Sequence, residues 1–497
     1  MSGARVEVAI VGAGFAGLGM ARALRRAGRE SFVLLERGAS VGGTWRDNTY
    51  PGVACDVPSH LYCFADRPNP GWSGRYATGT EIHDYLRETA VAEGLSRWLR
   101  LETPLRSAAW DADAAAWRLR AGDEDLEAEA LVLACGRLTE PAIPDIPGLE
   151  TFPGPVFHTA RWDHSADLAG RRIAVVGTGA SAVQLVPELA RIAGQVTLFQ
   201  RTPAWIMPRD AHPYSAAERD RFARHPEKLA ELRDALDREG EERFASRSGD
   251  AAAAAAASAT ALAHLRAQVA DPALRAGLTP DYAFGCKRVL LSDAFYPAVA
   301  DGPVTLETSA LASVSGTTLV SAAGNAYEAD AIVLATGFAS SRQPYAELVT
   351  GEDGITLDAH WGAGMTSYAS TVVPGFPNLF VLNGPNASLG HNSSILMTEA
   401  QAEYVVRALE HRNAGVLRVR PEAERAYTAR IDAAAASTPW IAGGCRNWYV
   451  DERSDRLTLL WPGTVAEFRS VLASADGSEF EPVTHESREL SRARGER

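Results

Sequence analysis

Lysine is almost missing from this 497-residue chain: of its 49 basic residues only Lys228 and Lys287 are lysines, so positive charge is carried by arginine. Basic residues are also in deficit against 62 acidic ones, for a net charge of -13. That balance excludes nucleic acid as a partner, because phosphate backbones are held by basic surfaces. It leaves room for one phosphate in a local arginine and lysine pocket. No run of 18 apolar residues is present, so no membrane span is expected. None of the five cysteines (Cys55, Cys63, Cys135, Cys286, Cys445) belongs to a Cys-x-x-Cys pair. The dithiol of a flavin disulfide reductase and a recognisable zinc site are thereby removed, and no metal is expected. Reduced, unpaired thiols are the expectation. A strand-like Val6-Glu7-Val8-Ala9-Ile10-Val11 begins within a few residues of Met1 and leaves no room for a signal peptide, so a cytoplasmic location is expected.

What is present is a globular composition, 46% hydrophobic and 22% charged, in a chain long enough for two or three domains. A strand, glycine turn and helix open the sequence: Val6–Val11, then Gly12-Ala13-Gly14-Phe15-Ala16-Gly17, then a helix ended by Gly28. Ser31 to Leu35 is the following strand, closed by Glu36. The same unit returns as strand Arg172–Val176, turn Gly177-Thr178-Gly179-Ala180-Ser181-Ala182, helix, and strand Val196–Phe199. Two such units predict an α/β protein with two Rossmann-like, doubly wound nucleotide-binding domains. The apolar runs Leu131–Ala134 and Ala331–Ala335 read as late strands of the two sheets. Residues 209–280 read as a helical insertion, including the alanine run Ala251–Ala257, in which no chemistry is read. Residues 484–497 read as a polar tail.

The two glycine loops carry opposite charge at equivalent places. Glu36 lies 24 residues after Gly12, where a carboxylate accepts adenine-ribose hydroxyls and excludes a 2′-phosphate, which suits FAD or NAD. Arg201 lies 24 residues after Gly177, where a guanidinium pairs with a 2′-phosphate, and Thr202 adds a hydroxyl donor beside it. The second loop therefore selects NADP(H). In both, the glycines allow close backbone approach to a pyrophosphate seated on the helix N-terminus.

Three further segments carry a resemblance. The linker Phe152-Pro153-Gly154-Pro155-Val156-Phe157-His158-Thr159-Ala160-Arg161-Trp162-Asp163 precedes the second loop. Gly42-Gly43-Thr44-Trp45-Arg46-Asp47-Asn48-Thr49-Tyr50-Pro51-Gly52-Val53-Ala54-Cys55-Asp56 follows the first. Phe284-Gly285-Cys286-Lys287-Arg288 lies ahead of a late strand. Together they resemble the flavin-dependent Baeyer–Villiger monooxygenases, class B enzymes that use FAD, NADPH and O2 to insert an oxygen atom beside a ketone carbonyl. The resemblance implies FAD in the first site, with Gly43, Thr44 and Trp45 along it and Tyr62 as an aromatic flavin contact. It implies an FAD domain at 1–141 and 340–497. The NADPH domain is implied at 142–208 and 281–339, with the insertion at 209–280 between its parts.

The chemistry implied by that family requires an anionic C4a-peroxyflavin, which needs a fixed cation unable to give up a proton. Arginine meets that need, and a carboxylate must position it. By the resemblance Arg288 is that cation and Asp56 its partner, while Lys287 turns outward to join Arg201 and Thr202 on the 2′-phosphate. Trp448, in Cys445-Arg446-Asn447-Trp448-Tyr449, matches a tryptophan closing a mobile loop over the NADP ribose. The chain departs from the family's Ala-Asn-x-Pro-Gly-Lys continuation, with Val450-Asp451-Glu452-Arg453 instead. Asn383–Ser394 is expected near the flavin ring. His158 and Trp162 are expected to couple domain movement to NADPH binding, not to take part in the chemical step. The expected partners are a small-molecule ketone and O2, with the protein a monomer or small homo-oligomer. A class B oxygenase acting on nitrogen or sulfur is the alternative; it usually lacks Trp162-Asp163 in its linker and needs a protonated hydroperoxide.

Overall fold

Two short apolar runs become the centres of two sheets, one mixed and one parallel, in the computed structural model, which describes residues 4–412 and 415–481. Ala9 and Ile10 in one strand, and Ala174 and Val175 in the other, are wholly buried. Such strands need apolar side chains on both faces, because helices cover both.

The first sheet has eight strands in the order Val349–Thr350, Leu105–Asp111, Ala116–Ala121, Glu124–Leu133, Ala4–Val11, Phe32–Leu35 and Leu99–Arg100. Leu379–Val381 pairs alongside Glu124–Leu133 as the eighth. The three strands from Leu105 to Leu133 form an antiparallel meander, and the other pairings are parallel. The second sheet runs Val304–Glu307, Gln195–Phe199, Arg172–Val176, Ala331–Leu334 and Val156–His158, all parallel. In each sheet the late strand lies directly beside the strand that feeds the glycine turn. The expected repeat boundaries hold to within one or two residues.

The linker is more than a connection. Val156–His158 is the edge strand of the second sheet, paired with Ile332–Leu334. His158 is buried, its Nδ1 accepts the Ala160 N–H at 3.1 Å, and its ring meets Phe338 edge-on at 5.7 Å. Trp162 packs edge-on against Phe157 at 5.0 Å.

The insertion is helical, with Ala216–Arg224, Pro226–Glu242, Ala251–Gln268 and Pro272–Gly277. Asp250 starts the alanine helix by accepting the N–H groups of Ala252 and Ala253. Glu241 accepts from Asn392 at 3.0 Å and from the N–H of Val465 at 3.2 Å, at the start of the helix Val465–Ala473. The insertion is thus bonded to the C-terminal third of the chain. Tail residues 484–497 lie outside the described residues. No helix among those described is long and apolar enough to cross a membrane.

One expectation fails. Cys286 and Cys445 form a disulfide, while Cys55, Cys63 and Cys135 are free. The partners stand 159 residues apart, so no local spacing signals the pair. The fold alone brings the loop after the insertion against the loop after the helix Pro439–Ala442.

Trp117 shows how the first sheet is held. It is wholly buried in the meander, and its Nε1 donates to the Pro377 carbonyl at 2.9 Å. Trp117→Ala is expected to cost about 3–5 kcal/mol, read as a lower urea midpoint; an unchanged midpoint would show that the meander is not part of the cooperative core.

Candidate functional site

The first glycine loop lines a cavity of about 340 Å³ that also takes in Glu36, Thr44, Trp45, Tyr62, Asn383 and Ser394. Backbone geometry requires its glycines. Gly12 has φ +101°, and a Cβ there would lie 2.5 Å from the Ala134 carbonyl oxygen. A Cβ on Gly17 would lie 1.8 Å from the Gly12 oxygen. Gly14 and Gly43 face one another, so that a Cβ on Gly43 would come within 3.3 Å of the Gly14 Cα. The helix Phe15–Arg26 starts with no side-chain cap, so its first N–H groups are left to whatever lies at the loop.

Glu36 is buried at the far end. Its Oε2 accepts the Ala13 N–H at 2.9 Å and its Oε1 accepts from Gly38 at 2.8 Å and Arg46 at 2.6 Å. Arg46, absent from the expected site, therefore already neutralises the ribose-end carboxylate. The Tyr62 hydroxyl accepts from Trp45 Nε1 at 3.3 Å, and its ring meets Phe15 edge-on at 5.1 Å. Burial first, and the Cys55 and Asp56 charges after it, push the Tyr62 phenol up, so it stays neutral.

The second loop repeats the geometry: Gly177 has φ +106°, and a Cβ there would lie 2.6 Å from the Ala335 oxygen. The Thr178 hydroxyl donates to the Thr202 carbonyl at 3.0 Å, and Ala182 is buried where the first loop has Gly17. Gly179 caps the helix Ala180–Leu189 without a side-chain bond, and Ser181 lies in its first turn. Arg201 is exposed beside this loop. Lys287 sits with its ammonium 5.0 Å from the Tyr282 ring centre. Burial first, then the neighbouring Arg201 charge, lowers the Lys287 ammonium below the ordinary lysine value. Two cations this close, the Arg201 charge depressing the Lys287 ammonium, suit an anion.

Arg288 and Asp56 meet between the two sheets. Arg288 donates from Nη2 at 2.6 Å and from Nε at 3.1 Å, both to Asp56 Oδ2. Their side chains are 31% and 28% exposed, so the pair is partly open to solvent. The Asp56 charge is the main reason Arg288 lies above the ordinary arginine value. Burial alone would raise the Asp56 carboxyl; the Arg288 guanidinium outweighs it and holds the carboxyl below the usual range. The pair therefore stays ionised across the neutral range.

Four neighbours were not anticipated. Arg209 donates to the Cys55 carbonyl at 3.0 Å and adds positive charge near Asp56. Gln184 bridges to the flavin-motif segment, accepting from the Tyr50 hydroxyl at 2.8 Å and donating to the Ala54 carbonyl at 2.9 Å. Tyr449, buried beside the exposed Trp448, interacts with Arg288. Arg247, on the insertion, is 9% exposed and is pulled down to about 10 by burial first and by Arg288 second. Tyr449 alone carries a sequence signal, as the neighbour of Trp448.

Residues 5–226 match the family model described as flavin-binding monooxygenase-like. A Baeyer–Villiger monooxygenase of Streptomyces coelicolor is 45% identical over 480 residues, 96% of this chain and 92% of that protein. The chain belongs to the Baeyer–Villiger monooxygenase family. The structure of an oxidised steroid monooxygenase bound to NADP superposes with a TM-score of 0.85 at 29% identity, covering 96% of this chain and 99% of that one. A complex of the enzyme named OTEMO with FAD and NADP gives 0.86 at 25% identity, covering 97% and 100%. FAD and NADP(H) are the cofactors of this Baeyer–Villiger monooxygenase. The required glycines, the uncapped helix starts and the Arg201–Lys287 pair are features that fit two dinucleotides, one with a 2′-phosphate.

In this Baeyer–Villiger monooxygenase Arg201→Ala is expected to weaken NADPH binding by about 2–3 kcal/mol, the worth of one charged hydrogen-bonded pair, while sparing NADH. Titration of both nucleotides checks it, and equal losses would contradict the phosphate assignment.

Proposed function

We propose that this oxygenase converts a ketone to an ester or lactone with Arg288 as its catalytic cation, held in place by Asp56. The observation that supports this reading is the Arg288–Asp56 contact. It joins the last residue of the flavin-motif segment to the loop following the insertion, 232 residues away. When bound, FAD reduced by NADPH would react with O2 to furnish the activated oxygen.

The protein's own groups do the rest. Arg288 supplies a positive charge that stays protonated, so negative charge on oxygen is stabilised without a proton being delivered to it. A lysine here would be a proton donor. Asp56 fixes the guanidinium and offsets its burial. In this reading FAD lies in the unit 1–141 with 340–497, its pyrophosphate at Gly12, Gly14 and Gly17 and its ribose at Glu36. NADPH lies in 142–208 with 281–339, its pyrophosphate at Gly177, Thr178, Gly179, Ala180 and Ser181. Arg201, Thr202 and Lys287 take the 2′-phosphate. Trp448, 38% exposed, closes over the nicotinamide side, and the insertion 209–280 covers the cleft.

A panel of ketones incubated with NADPH and air, with product masses followed for a gain of one oxygen, tests the reaction; oxidation only of amine or sulfide probes would overturn it. Arg288→Ala is expected to keep bound FAD but lower ester formation by at least about 100-fold. Normal ester yield in that variant would remove Arg288 from the reaction.

A further inference from the structure

We propose that the Cys286–Cys445 disulfide is a thiol-reducible clamp holding the Trp448 loop closed on the nicotinamide side, so that a low-molecular-weight thiol sets how tightly NADP(H) is retained. The proposal rests on the reading of Lys287, Arg288 and Trp448 given above.

Its basis is where the two sulfurs sit. Cys286 immediately precedes Lys287 and Arg288, and Cys445 precedes Trp448 by three residues and Tyr449 by four. The disulfide, with its Cα atoms 6.2 Å apart, therefore joins the segment carrying the cleft cations to the segment carrying the exposed tryptophan. The backbone is shaped for this contact. A Cβ on Gly443 would lie 3.0 Å from Cys286 Sγ and 2.2 Å from the Pro439 oxygen, so only glycine lets the loop approach.

Beyond the disulfide, the far end of the loop is anchored at Tyr449, which packs with Trp440, Leu457 and Leu460 and whose carbonyl accepts the Thr458 N–H at 3.2 Å. Asn447 organises it internally, donating to the Trp440 carbonyl at 2.8 Å and accepting from the Tyr449 N–H at 3.0 Å. Nearer Cys445 and at Trp448, two contacts reaching outside it are long: the Ala283 N–H to the Gly443 carbonyl at 3.4 Å, and the Ser340 hydroxyl to the Trp448 carbonyl at 3.4 Å. Tyr449 is buried and serves as the pivot. The crosslink keeps the loop near its closed position; cutting it restores the freedom that NADP(H) must then remove on binding.

The surroundings favour exchange. Cys286 is wholly buried, whereas Cys445 is partly exposed, so an incoming thiolate reaches Cys445 Sγ. It forms a mixed disulfide there and expels Cys286 as a thiolate. A second thiol attacks the mixed disulfide and releases Cys445, so that two external thiols become one external disulfide while the protein gains two thiols. The two electrons come from the external thiols. Lys287 and Arg288 follow the leaving cysteine in sequence, and Arg247 packs its Cγ 3.3 Å from the position a Gly285 Cβ would take. Cations beside a leaving thiolate speed its departure.

The test uses the full-length, FAD-loaded enzyme before and after treatment with dithiothreitol. Iodoacetamide under denaturing conditions should add three groups per chain before reduction and five after, matching three free cysteines and one disulfide. NADP+ affinity should fall roughly tenfold on reduction and return on reoxidation. Cys445→Ser should show the weakened affinity without reductant and no further change with it. Five adducts in the unreduced protein, or unchanged NADP+ affinity in reduced wild type, overturns the clamp. Trp448→Ala and Arg201→Ala measured alongside separate the two readings. If both bind NADP+ normally, the site assignment fails by itself. If both weaken while reduction changes nothing, only the clamp fails.

Discussion

The ion pair between Arg288 and Asp56 is the interaction on which the site depends. Each group sits on a loop, away from regular structure, and each would be costly to place in the cleft alone. Together they tie two sheet units at a junction where Tyr50 also packs into the second unit's core. The sheets position the roots of the two loops, and the pair sets how those loops meet. A charged contact at the seam between units is well suited to a site that must assemble from both.

Around that pair the cleft is held positive by arginine. Arg209 lies near Asp56, and Arg247 approaches from the insertion. Burial brings Arg247 down to about 10, yet it remains charged at neutral pH. A lysine starts from a lower ordinary value, so the same burial would bring it closer to losing its proton. Tyr449, pushed up to about 12 by burial, remains a neutral phenol beside Arg288. The chain's neglect of lysine, which reads as compositional bias along the sequence, thus has a local physical use in the cleft.

The glycine loops were legible in the sequence because sterics compel them: Gly12 and Gly177 repeat one approach, each against the carbonyl that ends a late strand. Arg201 and Glu36 were legible because a βαβ unit places the end of its second strand at a fixed spacing. Arg288 and Asp56 came from resemblance, since nothing in local pattern pairs residues 232 apart. Separation in sequence likewise hid the disulfide, whose partners stand 159 residues apart, and Arg247 on the insertion. The linker strand escaped notice because Val156–His158 is three residues long, too short for an alternating pattern to show. Arg46 was hidden differently: it lies inside a quoted motif, but its grip on Glu36 depends on how the four-residue helix Thr44–Asp47 turns.

Gly52 carries a consequence for how closely the two units approach. It has φ +82°, and a Cβ there would stand 2.7 Å from the Gln184 carbonyl of the second unit's first helix. Tyr50 and Ala54 on either side are already bonded to the Gln184 side chain. The seam is therefore a mechanical stop: the helix that begins at the second loop rests on bare Cα, and no closer approach is open to it. A single methyl inserted there would force the two segments apart.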